Sequence, residues 1–174
     1  MNRSSLIGPI INFVVLLFAQ VLVFGNLSLY NTAFCFAYVL FVLALPPVTS
    51  RVWLLLSAFF LGLLVDVFED TLGINAAACV FIAYLKPYVI RALDNQSGTF
   101  EENAPITVST VGVSMFALFT FIMVFIHCLV FFYIEAAGFH LFWRNMAKAF
   151  FSADYTVVVI LIIQFIFYPS GRSR

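Results

Sequence analysis

The chain has 174 residues, 64% hydrophobic and 9% charged, with eight acidic and eight basic side chains that cancel. Soluble domains are roughly 45–50% apolar and about 25% charged, so an ordinary water-soluble domain is excluded: so few charges cannot cover its exterior. Zero net charge without a basic run also excludes nucleic-acid binding driven by phosphate contacts.

The apolar residues arrive in blocks near the ~20 residues a helix needs to cross a ~30 Å hydrocarbon core. Six such blocks are predicted as transmembrane helices. The first, about 6–24, follows Arg3 as a signal peptide would. It lacks a convincing A-x-A cleavage site and is expected to be retained. The second, about 29–45, ends at Pro46-Pro47, which cannot continue a helix. The third spans about 52–68 and the fourth about 74–90. The fifth, about 106–134, is long enough to need tilt or to extend beyond the bilayer. The sixth, about 153–168, stops at Pro169. Connections at 25–28 and 69–73 are so short that the helices they join must form antiparallel hairpins.

The stretch 93–105 is the most loop-like, with Asp94, Asn95, Gly98, Glu101 and Glu102. The segment 138–152 mixes Phe139, Leu141, Phe142, Trp143 and Met146 with His140, Arg144 and Lys148, and reads as an interfacial helix or a plain loop. A β-barrel would alternate apolar and polar residues within ~10-residue segments, and these blocks are apolar all round. The expected fold is therefore all-α: one polytopic transmembrane domain over 1–174, of about six helices. With the N-terminus inside, Arg3, Arg51, Lys86, Arg91, Arg172 and Arg174 are cytoplasmic, and Arg144 and Lys148 external. That distribution follows the positive-inside rule and puts both termini in the cytoplasm.

Few residues could carry chemistry. Asp66 ends a seam Ala58–Gly62–Asp66 at four-residue spacing, on one helix face. Small residues in such seams let helices approach closely. Asp66 is expected to cap or bond the start of the next helix around Asn75. The same residues form the candidate partner-binding surface. Asp66, Glu69 and Asp70 lack any recognisable cation loop, so no metal or cofactor is expected. His127 reads as a hydrogen-bonded interior histidine, and Asn12, Gln20 and Gln164 as polar contacts between helices. Cys35, Cys79 and Cys128 are solitary within apolar blocks and read as core packing. Catalytic motifs are absent, as are broken helices with paired charges, so no enzyme is expected.

One stretch carries a family resemblance. It reads Trp53-Leu54-Leu55-Leu56, then Gly62-Leu63-Leu64-Val65-Asp66, then Leu72-Gly73-Ile74-Asn75-Ala76, then Ala83-Tyr84-Leu85. This resembles the bacterial rod shape-determining MreD family, in which a G-L-x-x-D helix end precedes a short turn and L-G-[hydrophobic]-x-A. Asn75 stands where many members have His. The resemblance implies a non-enzymatic scaffold of the cell-elongation machinery in the bacterial inner membrane, with site residues Ala58, Gly62, Asp66, Gly73 and Asn75. It implies binding to the bitopic protein MreC. It further implies indirect links to the wall-synthesis glycosyltransferase and transpeptidase and to the actin-like filament. The implied fold resembles the six-helix substrate-binding component of energy-coupling-factor vitamin transporters, which supplies the alternative function. Those components carry an A-x-x-x-A-type docking seam in the first helix, where this chain has Ala19 alone.

Overall fold

The structure is a computed structural model that describes residues 13–24, 33–138 and 141–167. Residues 13–24 form α1, whose end, Gln20–Phe24, is wound as a π-helix. There follow α2 (Val39–Ala44), α3 (Arg51–Glu69), α4 (Ile74–Ser97), α5 (Val108–Val111), α6 (Val113–Glu135) and α7 (Phe142–Phe167). Four of these, α3, α4, α6 and α7, are long and apolar enough to cross a membrane. Among the described residues the chain is all-helical, and these four helices are compatible with a multi-pass membrane protein.

The architecture is two helical hairpins side by side. α3 packs chiefly on α4, α6 on α7, and α4 joins the pairs by packing on α6. Large apolar side chains fill the outward faces as well as the core. On α3 alone, Val52, Trp53, Leu56, Phe59, Phe60, Leu63, Leu64, Val67 and Phe68 are exposed. An apolar surface that continuous is characteristic of a chain solvated by lipid or covered by a partner.

The predicted second helix at 29–45 is corrected. Its first four residues lie outside the described part, 33–38 run extended or turn, and helix begins only at Val39. This non-helical backbone is buried, from Ala33 to Tyr38, save Phe34, which is half-buried. Irregular backbone at membrane depth is tolerated only where other groups satisfy its N–H and C=O. Here α7 does so. Ser152 Oγ accepts from the Phe34 N–H at 3.0 Å, and Thr156 Oγ1 accepts from the Phe36 N–H at 3.1 Å. Gln20 Nε2 donates to the Cys35 carbonyl at 3.0 Å. The break carries no paired charges: its partners are hydroxyls and an amide.

Lys86 closes the other end of α2. Its ammonium donates to the carbonyls of Val42 at 2.8 Å and Leu45 at 2.6 Å, satisfying C-terminal helix groups that have no intrahelical partner. The side chain is 1% exposed, so this base lies inside the fold. Nearby, the loop after α4 is stitched to the chain after α2. Val48 N donates to the Glu102 carbonyl at 2.9 Å, and Ile106 N to the Ala44 carbonyl at 3.0 Å.

Three predicted boundaries move. α4 continues through Ser97, and Asp94 then accepts from the Phe100 N–H at 3.0 Å. The long fifth block is divided at Gly112 into α5 and α6. The segment expected as interfacial at 138–152 is, from Phe142 onward, the first half of α7. It is helical because Asn145, Ala149, Ser152, Ala153 and Thr156 form a buried stripe of small and polar residues. Cys35, Cys79 and Cys128 are free thiols buried in the core.

Candidate functional site

The sequence places three features at one end of the bundle: a glycine in α3, an acid one turn later and a four-residue turn. Gly62 lies where α3 and α4 touch. A Cβ there would stand 2.5 Å from Ala76 Cα and 2.7 Å from Asn75 O, distances no side chain can occupy. Ala58, one turn earlier, is fully buried.

The close approach brings the Asp66 carboxylate to the start of α4. One oxygen accepts from the Asn75 N–H at 2.9 Å and from the Thr71 hydroxyl at 2.5 Å. The other accepts from the Ala76 N–H at 2.8 Å. These are N–H groups of the first turn of α4, which have no partner inside the helix. A carboxylate there also meets the positive end of the helix dipole. Asp66 is thus a cap supplied by the neighbouring helix, 4% exposed and accepting three hydrogen bonds. The expected capping role is what the geometry gives it.

Between the helices the backbone turns sharply. Asp70 (φ 55°), Leu72 (φ 47°) and Gly73 (φ 88°) are all left-handed. Glycine adopts this conformation freely and leucine does not. The Leu72 side chain is 96% exposed. It is therefore held out from the bundle on a strained backbone.

Asn75 extends the network inward. Its Oδ1 accepts from the Tyr38 hydroxyl at 2.8 Å, and its Nδ2 donates to Thr71 Oγ1 at 2.9 Å and to Glu69 at 3.5 Å. With its proton directed at Asn75, Tyr38 is left to accept from His127 Nε2, 3.0 Å away. His127 is fully buried and its Nδ1 has no partner among the described residues. On the other side, Gln20 Nε2 donates to Glu69 at 3.1 Å. A continuous polar path therefore runs from α1 through α3 and α4 to α6, threaded by Tyr38 of the unwound segment.

Beside this path is a cavity of about 400 Å³, lined by Gln20, Glu69, Thr71 and Glu135 with Phe34, Phe36, Phe68 and Phe131 among its apolar residues. No family model, curated protein or solved structure matches this chain.

Of the five residues singled out in the sequence, Gly62, Asp66, Gly73 and Asn75 meet at the α3–α4 junction, with Ala58 buried one turn behind. The seam lies between α3 and α4, where Gly62 meets the Ala76 backbone and Asp66 bonds the start of α4. Among the described residues no three or more His, Cys, Asp or Glu side chains converge as metal ligands. Asp70 is exposed. Sequence reading passes over Tyr38 and Thr71, and weighs Glu69 only as a cation ligand. A buried tyrosine needs a partner for its hydroxyl, so a Tyr in an apolar block was the available signal. Asn12 lies outside the described residues.

Proposed function

We propose that the chain is a non-enzymatic inner-membrane scaffold of the bacterial cell-elongation machinery, of the MreD type, binding an MreC-like bitopic protein. The observation that carries this reading is the treatment of the resemblance motif. Its Gly62, Asp66, Gly73 and Asn75 build a rigid hairpin, and its Leu72 is left almost wholly exposed on left-handed backbone. Such strain persists only where its surroundings impose it, and it clusters at functional positions. Leu72 and the outward face of α3, with Trp53, Phe60, Val67 and Phe68, form the surface offered to a partner helix. Inside lipid that helix is held by close packing rather than by a hydrophobic driving force.

In this reading the chain lies in the bacterial inner membrane with both termini cytoplasmic. Removing buried Lys86 from the tally leaves five cytoplasmic bases against two external ones, which preserves the orientation. Through its partner the scaffold connects to the wall-synthesis glycosyltransferase and transpeptidase and to the actin-like filament. A second reading, the substrate-binding component of an energy-coupling-factor vitamin transporter, is favoured by the cavity beside Glu69. Depletion from rod-shaped native cells separates them: the scaffold reading predicts rounding and swelling. Cells that keep their rods and instead lose growth on a scarce vitamin contradict it.

A further inference from the structure

The cavity beside Glu69 has a polar wall of one chemical kind. Both protons of the Gln20 amide nitrogen are taken, by the Cys35 carbonyl and by Glu69. These two acceptors fix the orientation of the amide, and Gln20 Oε1, in a side chain 1% exposed, has no hydrogen-bond partner among the described residues. The Thr71 proton is directed at Asp66. An ionised carboxylate offers about four acceptor positions, and Glu69 receives only Gln20 and a long contact from Asn75. Glu135 has no hydrogen bond or ion pair among the described residues. The wall thus has acceptors in excess, two of them carboxylates. Among the described residues no lysine or arginine lines it.

The rest of the wall is aromatic. Ring faces carry negative potential and attract cations, the more so when water is excluded. The chain already makes this contact beside the cavity, where the Lys148 ammonium lies 5.8 Å from the Phe34 ring centroid and 5.6 Å from that of Phe132. Lys148 is not itself among the lining residues. The volume of about 400 Å³ lies within the range of roughly 300–1,000 Å³ usual for small-molecule sites.

We propose that this cavity binds a primary ammonium group carried on an apolar body. The N–H donors would reach Glu69, Glu135 and the Gln20 carbonyl side of the wall, and the apolar part would lie among Phe34, Phe36, Phe68 and Phe131. A metal ion fits less well: hard cations require six or more oxygen ligands, and no such cluster converges among the described residues. The site stands apart from the scaffold proposal except at Phe68, which lines the cavity and is also exposed on α3.

The test uses the full chain in phosphatidylcholine nanodiscs, titrated calorimetrically with 2-phenylethylamine and with its neutral isostere 2-phenylethanol. Saturable amine binding is expected, with the alcohol at least 30-fold weaker. Glu69→Gln and Glu135→Gln should each weaken the amine at least tenfold. Glu135 is exposed, so its variant should melt with the parent and report on binding alone. Nanodiscs containing phosphatidylethanolamine then identify the source. Competition there, with the lipid retained on native mass spectrometry, assigns the site to a lipid headgroup, and its absence to a free amine. Equal binding of amine and alcohol overturns the proposal. So does amine affinity unmoved by both glutamine variants, or displacement of the amine by millimolar Mg²⁺ or Ca²⁺.

Discussion

Replacing Asp66 by alanine removes the cap of α4 without touching the apolar surface of either helix. The Asn75 and Ala76 N–H groups then lose their shared acceptor, at about 1–3 kcal/mol for each buried donor left unpaired. Their sum is about 2–6 kcal/mol. Thr71 and Glu69 beside them are partly exposed, so water can reach a relaxed turn, and the lower part of that range, about 2–4 kcal/mol, is expected. Asp66→Asn should cost about half as much. Its oxygen can keep one N–H, and its amide nitrogen must face the other. The measurement is reversible denaturant unfolding in micelles, followed by the fluorescence of Trp53 and Trp143. Asp154→Asn, at an exposed position, is the control, expected within about 0.5 kcal/mol of the parent. Unfolding of Asp66→Ala together with that control would refute the capping argument, since nothing else then holds the two N–H groups.

The two glycines of the hairpin should fail differently. Gly62→Ala must separate α3 from α4, because the new methyl meets Ala76 backbone, and overpacking of this kind costs about 1–3 kcal/mol or more. Gly73→Ala meets no atom and should cost only the roughly 1–2 kcal/mol of left-handed backbone. A thermal-melt series ranking them in the reverse order contradicts this. Leu72→Gly relieves about 1–2 kcal/mol of left-handed strain against roughly 0.5–1 kcal/mol of added chain entropy. The variant should be at least as stable as the parent while recovering less partner, and undiminished recovery argues against Leu72 as a contact. Thr156→Val leaves the buried Phe36 N–H unpaired and should destabilise by about 1–3 kcal/mol; a neutral result would mean another group takes that proton. Finally, the chain has two lysines. An amine-reactive reagent should modify half-buried Lys148 and spare Lys86 until the protein is denatured, as read by peptide mass spectrometry.

What could be read from the sequence divides along physical lines. Long apolar blocks without charges are decided by the bilayer, and α3, α4 and α6 stand close to where hydropathy puts them. The α3–α4 hairpin was legible in more detail, because Gly62, Asp66 and Gly73 each answer a local requirement: close approach, capping, and left-handed backbone. The stretch 33–38 was not. Its residues are as apolar as a helix would be, and it unwinds because Ser152 and Thr156, more than a hundred residues away, satisfy its N–H groups. The burial of Lys86 was hidden for the same reason: the α2 carbonyls it bonds are 44 and 41 residues away. The α7 boundary was missed because Arg144 and Lys148 made its first turns look interfacial, while the buried stripe of Asn145, Ala149, Ser152, Ala153 and Thr156 runs beside them. The polar path from Glu69 to His127 combines four separate elements, and no spacing in the chain encodes it.

The scaffold proposal is tested most directly by co-purification of the tagged chain from its native cells in mild detergent, with mass spectrometry of what accompanies it. The predicted result is a bitopic MreC-like protein together with wall-synthesis enzymes, reduced in the Leu72→Gly variant. Recovery of a coupling membrane subunit with paired ATPases, and no bitopic partner, would contradict it.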